Sequence, residues 1–190
     1  MTYEIRPFEE KDRRAVRELC LDTQERAPRT EARRLFLCLT KCDYYLDCEP
    51  ENCFVAVTQG EDGTQQVIGY ILCAADCETY ARRYMDKYMP KIKTYGKMNA
   101  YFARTDVMVY GRFAAFFPAH IRVAVLPSAR RQGIGTALVQ TLCAHLSARR
   151  GKGVLAVVEK RNTAAEAFFT AAGFSLLQRF GAGLAFGMDL

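Results

Sequence analysis

The chain has 190 residues, of which 50% are hydrophobic and 25% charged, and its basic residues exceed its acidic ones by 27 − 21 = +6. That length suits one domain with a sizeable core and is tight for two, and the balance is that of a soluble globular protein. No apolar run is long enough to span a bilayer, and Met1-Thr2-Tyr3-Glu4-Ile5-Arg6-Pro7 lacks the basic flank and apolar stretch of an export signal, so a cytoplasmic protein with no membrane partner is expected. The basic residues are scattered. This suits a polyanionic small ligand and argues against a nucleic-acid partner. The eight cysteines contain no CxxC, and the nearest spacings are Cys38-x3-Cys42 and Cys73-x3-Cys77. Neither histidine, His120 or His145, lies near such a pair, so free, mostly buried thiols and no metal site are expected.

In chain order, residues 2–7 read as a short strand ending at Pro7. Asp12 is placed to cap a helix with Val16, Leu19 and Cys20 on one face. A second helix is expected over 31–39. Residues 53–58 form a strand, Glu61-Asp62-Gly63 supplies a hairpin turn, and 67–72 return antiparallel. From 76 to 117, Tyr, Arg, Lys and Met alternate, and Pro90 and Gly96 interrupt any long helix. One or two helices beside the sheet are expected there, as an insertion that either shapes a substrate site or varies structurally. Residues 120–125 form a strand and 127–132 a polar, basic loop. A helix over 133–149 carries Ile134, Leu138, Leu142 and Leu146 at i+4 steps and ends at Gly151 and Gly153. The continuous apolar run 154–158 is a central, buried strand. Asn162 opens a helix to about Ala172 that Gly173 closes, and strands over 174–179 and 184–188 follow. The fold class is α+β, a mixed sheet with helices.

The sharpest feature is the strand–loop–helix from Val123 to Thr136. Backbone N–H groups in the first turn of a helix lack intrahelical partners, and the helix dipole favours an anion there. Gly133 and Gly135 present no side chain to block phosphate oxygens, Arg130 and Arg131 add positive charge, and Gln132, Ile134 and Thr136 complete the cradle. A Walker A loop fails because Thr136-Ala137 follows Gly135, and a GxGxxG fingerprint fails at Leu138.

Arg130-x-x-Gly133-x-Gly135 resembles the R/Q-x-x-G-x-G/A signature of the GNAT acetyltransferase superfamily. Val158-x3-Asn162-x2-Ala165-x7-Gly173-Phe174 is similar to its second motif. Phe117 to Pro127, the strand at 51–55 and the stretch 77–93 resemble more narrowly the acetyltransferase-like domain fused to eukaryotic O-GlcNAcases and its free-standing bacterial relatives. The resemblance implies one GNAT domain over 1–190, with about six to seven mostly antiparallel strands splayed at the cofactor site and helices on both faces. It implies acetyl-CoA as cofactor, an amine as acceptor and direct transfer, with a homodimer as a possible assembly. It also implies an oxyanion donor among the backbone N–H groups of Val123, Ala124 and Val125, and pantetheine contacts from Asn162, Ala165 and Phe169.

Two departures from the family pattern bear on catalysis. The family's proton-donating tyrosine, seven residues after the motif asparagine, is Phe169 here; Tyr95, Tyr101 or Tyr110 is a candidate substitute. A domain that binds CoA with little turnover is the alternative reading. The family's glutamate at the position of Ile121 or Arg122 is also missing. His120 can accept a proton near neutral pH or serve as a bonded structural residue, and Glu159 can face the cleft or solvent. Arg122 alternates with His120 on one face and is placed to bind an acidic substrate group or to pair with a nearby carboxylate.

Overall fold

The computed structural model describes residues 2–24, 28–60, 63–181 and 183–190. Seven strands are present among the described residues: β1 (Glu4–Pro7), β2 (Phe54–Gln59), β3 (Gln65–Ala74), β4 (Ala119–Val125), β5 (Gly153–Glu159), β6 (Ser175–Phe180) and β7 (Gly183–Asp189). They form one sheet in the order β1-β2-β3-β4-β5-β7-β6. Every neighbouring pair is antiparallel except β4 and β5, which run parallel. The expected hairpin joins β2 to β3, although Glu61 and Asp62 of its turn lie outside the described residues.

Eight α-helices flank the sheet among the described residues: α1 (Arg13–Asp22), α2 (Glu31–Lys41), α3 (Asp43–Cys48), α4 (Cys77–Lys87), α5 (Met89–Lys93), α6 (Lys97–Phe113), α7 (Ile134–Ser147) and α8 (Thr163–Ala171). Strand side chains alternate between faces, so two apolar layers form. One joins Ile134, Leu138, Leu142, Leu146 and Phe169 of α7 and α8 to Ile121, Val154 and Ala156 of the sheet. The other joins Tyr44, Tyr45, Tyr80, Tyr84, Tyr88 and Tyr110 of the α3 to α6 segment to Leu72 and Leu155. Burying each large apolar side chain contributes roughly 1.5–3 kcal/mol. β5 supplies buried side chains to both layers, which is why its sequence is continuously apolar.

Three expectations change. Residues 76–117 fold into three helices rather than one or two. Pro90 is tolerated in the first turn of α5, where its missing N–H has no intrahelical partner to lose, and Gly96 at φ 107° redirects the chain into α6. Helix α3 was not expected at all. Asp12 stands at the N-cap of α1, yet its side chain makes no cap bond to that helix. Its carboxylate accepts the Glu9 N–H at 3.0 Å and two bonds from Arg6 at 2.7 and 2.9 Å, closing a 3-10 turn just before the helix.

Candidate functional site

The site begins with a break in the sheet. β4 and β5 pair only through Ala119↔Val154, His120↔Leu155 and Ile121↔Ala156. Beyond that last rung, β4 stays with β3 up to Val125↔Gly69, and β5 stays with β7 up to Glu159↔Gly183. The two halves of the sheet therefore part and leave a fork. Exposure follows the same line: residues 119–121 and 153–156 are buried, whereas 122–125 and 157–158 are half-buried.

The backbone in the fork has a definite polarity. The Leu126 N–H bonds to the Ile68 carbonyl at 2.8 Å, so Leu126, Ala124 and Arg122 direct their backbone polar groups at β3. By alternation Val123 and Val125 direct theirs into the fork. The Val125 carbonyl there accepts Arg130 Nε at 3.2 Å. The N–H groups of Val123 and Val125 face the fork with no β5 partner, the arrangement an oxyanion donor requires.

The loop leaving β4 brings a helix start to the mouth of this fork. One 3-10 turn (Pro127–Ala129) precedes Arg130, Arg131 takes φ 61°, and Gly133 takes φ 79° as N-cap of α7. The first intrahelical bond joins the Ala137 N–H to the Gly133 carbonyl at 2.9 Å, so the N–H groups of Ile134, Gly135 and Thr136 have no intrahelical acceptor. Arg130, Arg131, Gln132 and Gly133 are exposed around them. The two glycines do different work. A Cβ on Gly133 would meet nothing within 4 Å, and its left-handed backbone favours glycine. A Cβ on Gly135 would lie 2.9 Å from Phe168 Cε2. Gly133 thus leaves open space, while Gly135 also makes room for a ring of α8.

On α8, the Asn162 side chain accepts the Ala165 N–H at 3.0 Å, so both residues have a capping role in the fold. Phe169 is 4% exposed, edge-on to Phe174 at 5.1 Å and stacked on Phe186 at 6.0 Å. It belongs to the apolar layer into which Val123, Val125 and Val158 pack from the two sides of the fork.

The opposite face of β4 carries the polar groups. Arg122 is half-buried. Its Nε donates to the Tyr45 hydroxyl and its Nη2 to the Tyr110 hydroxyl, each at 3.2 Å. His120 is fully buried, stacked on Tyr110 at 3.9 Å, with Nε2 at 3.1 Å from Tyr45 Oη and Nδ1 at 3.4 Å from Cys77 Sγ. Tyr45 Oη, which also accepts from Arg122, and Cys77 Sγ thus give each ring nitrogen a partner in either neutral tautomer. Burial, and then the Arg122 charge, hold His120 well below the usual histidine range. Direct abstraction of a substrate proton by His120 has no open path, since its ring sits beneath the closed end of the fork. Glu159 stands at the open end, exposed, 3.4 Å from Arg161. Lys41 and Asp106 form an ion pair at 3.6 Å above the Arg122 cluster. Of the candidate tyrosines, Tyr110 alone has its hydroxyl on Arg122; Tyr101 is 63% exposed, and Tyr95 packs on Phe36 at 5.4 Å. The contribution of Tyr45 could not be read locally, because it meets Arg122 across 77 positions of sequence.

A mixed sheet forked at its parallel pair, with an open, basic helix start at the mouth, is the architecture of an acyl-group transferase. The model of the Acetyltransferase (GNAT) family matches residues 13–174, and the chain belongs to that family. No curated protein sequence is significantly similar to it. Among solved structures, SsHAT is similar at 25% identity and TM-score 0.84, over 100% of this chain and 98% of that one. The PaiA N-acetyltransferase of Thermoplasma acidophilum, solved with coenzyme A, is similar in fold at 13% identity and TM-score 0.63, over 100% of both chains. A GNAT superfamily phosphinothricin acetyltransferase from Sinorhizobium meliloti, solved with AcCoA, is similar in fold at 19% identity and TM-score 0.58, over 100% of this chain and 89% of that one.

Proposed function

We propose that this protein is an acetyl-CoA-dependent N-acetyltransferase that moves the acetyl group directly to an amine. The observation that carries the reading is the fork itself: two unpaired N–H groups, of Val123 and Val125, beside an α7 start with three free N–H groups and two exposed arginines. Acetyl-CoA supplies the acyl group as a thioester with a thiolate leaving group. Ile134, Gly135 and Thr136 donate backbone N–H groups to its pyrophosphate, and Arg130 and Arg131 add charge. Val123 and Val125 donate to the oxygen that gains negative charge. Gln132, Ala124, Asn162, Ala165 and Phe169 line the remaining path as positions implied by the family motifs. Glu159, at the open end, takes the amine proton through water, and His120 acts behind it by orienting Tyr45.

The reading extends to three finer assignments. The chain groups with the O-GlcNAcase acetyltransferase-like subgroup, its residues 1–190 form one acetyltransferase domain, and α4 to α6 are a helical insertion in that domain. The assay is release of free thiol from acetyl-CoA across a panel of amines, with CoA binding measured by calorimetry in parallel. Thiol release dependent on an amine supports transfer. CoA binding without thiol release from any amine would instead support a CoA-binding module with little turnover, a reading favoured by the absence of a hydroxyl at Phe169.

A further inference from the structure

The acceptor side of the fork carries more positive charge than its own carboxylates match. Arg122 leaves β4 one residue past the last rung joining β4 to β5. Two pairs of residues, each four apart, enclose it: Lys41 and Tyr45 from α2 and α3, and Asp106 and Tyr110 from α6. The tyrosine hydroxyls fix the guanidinium by accepting from Nε and Nη2, and no acceptor among the described residues bonds Nη1. Arg122 also forms no ion pair with a carboxylate among the described residues, whereas Asp106 is engaged by Lys41 at 3.6 Å and Glu159 by Arg161 at 3.4 Å. Lys41 feels this directly. The Arg122 charge, and then burial, hold its ammonium below the usual lysine range, with Asp106 and Glu159 opposing.

An amine that arrives here as a bare cation meets two fixed cations of like sign. An amine carrying its own anion does not, because the anion can take the free Nη1 and the Lys41 ammonium while the amine turns to the fork. The same field favours the neutral, nucleophilic form of that amine, which eases the lack of a carboxylate on β4. Resting on the acetyl-transfer reading above, we infer that the acceptor is a small amine bearing a carboxylate or phosphate group, held by Arg122 and Lys41 on the α2–α6 side of the fork. Tyr45 and Tyr110 are positioning residues for that guanidinium.

The test uses the full chain saturated with CoA for binding, and with acetyl-CoA for turnover. Matched probes differ only in the anion: glycine, β-alanine and γ-aminobutyrate against their amides, and phosphoethanolamine against ethanolamine. The anionic member of at least one pair should bind and react about ten- to a hundredfold better, the range of charge-assisted contacts. The preferred pair distinguishes carboxylate from phosphate. Arg122→Gln and Lys41→Gln should each erase most of that preference, read as the ratio of the two members within each pair. Lys41→Gln guards against a folding failure, since Lys41 is at a helix end and makes one ion pair. Equal binding within every pair, or an anion preference that survives both substitutions, overturns the inference. Anion-selective binding that both substitutions abolish, with no thiol released, upholds the anion site and refutes acetyl transfer. Absent CoA binding with anion selectivity intact does the same for the cofactor loop.

Discussion

Gly135 offers a test in which one substitution should change sign with its background. A methyl there would sit 2.9 Å from Phe168 Cε2 and 3.2 Å from Cζ, where ordinary contact begins at 3.4 Å. The ring, or α8 with it, must retreat by a few tenths of an ångström. Overpacking of this kind costs about 1–3 kcal/mol, against which replacing glycine by alanine in a helix returns about 1 kcal/mol. Gly135→Ala should therefore destabilise the protein by about 0–2 kcal/mol. In a Phe168→Ala background the obstruction is gone and only the helix preference remains, so the same change should stabilise by up to about 1 kcal/mol. Urea denaturation of the four proteins reads this coupling directly. Calorimetry on the same set reads the cofactor. Gly135→Ala should leave CoA affinity unchanged once Phe168 is removed, because open approach lies at Gly133. Equal destabilisation by Gly135→Ala with and without Phe168 would refute the assignment of that ring as the obstacle.

Arg130→Ala and Arg131→Ala should weaken CoA binding more at low salt than at high salt, since exposed charges are screened; a salt-independent loss would indicate packing instead. Phe169→Tyr should keep CoA binding and raise turnover in the thiol-release assay. Loss of CoA binding would mean that a hydroxyl placed among its apolar neighbours Phe174 and Phe186 disturbs the fork. His120 is held neutral in the fold, so the unfolded chain binds more protons once pH falls below its ordinary value of 6.5. Its stability contribution is complete above that pH and is lost as pH falls toward the depressed folded value, at up to about 1.4 kcal/mol per pH unit. The urea midpoint should drop between pH 7 and 5.5, and His120→Gln should flatten that slope.

What the sequence disclosed and what it withheld divide along the length scale of the interactions. The helix start at Gly133, the apolar β5 and the cap at Asn162 are encoded by residues within one or two turns of each other, and each was legible from spacing. The role of Gly135 was half legible, because its neighbour Phe168 comes from another helix. Helix α3 was missed for a related reason. It has six residues, and Tyr44, Tyr45 and Leu46 are all buried in succession, so no amphipathic period marks it. The acceptor side depends most on distance in sequence: Lys41, Tyr45, Asp106, Tyr110 and Arg122 come from four elements. Arg122 and His120 were singled out by alternation along one strand, yet their surroundings, two tyrosine hydroxyls for one and a sealed aromatic box for the other, follow only from the packing of α2 to α6.

The three rungs between β4 and β5 also carry a lesson about restraint. Both strands run on past Ile121 and Ala156 in extended form, so continuing the ladder would demand little of the chain beyond a change of angle between two half-sheets. A protein selected only for robustness would zip that seam shut and satisfy the idle donors of Val123 and Val125 internally. Leaving the seam undone keeps a strip of backbone in reserve, and a ligand threading it would complete the sheet as a missing strand would. Stabilising designs for this molecule should therefore avoid the seam, because the substitutions that strengthen the apo fold there are the ones that would close the site.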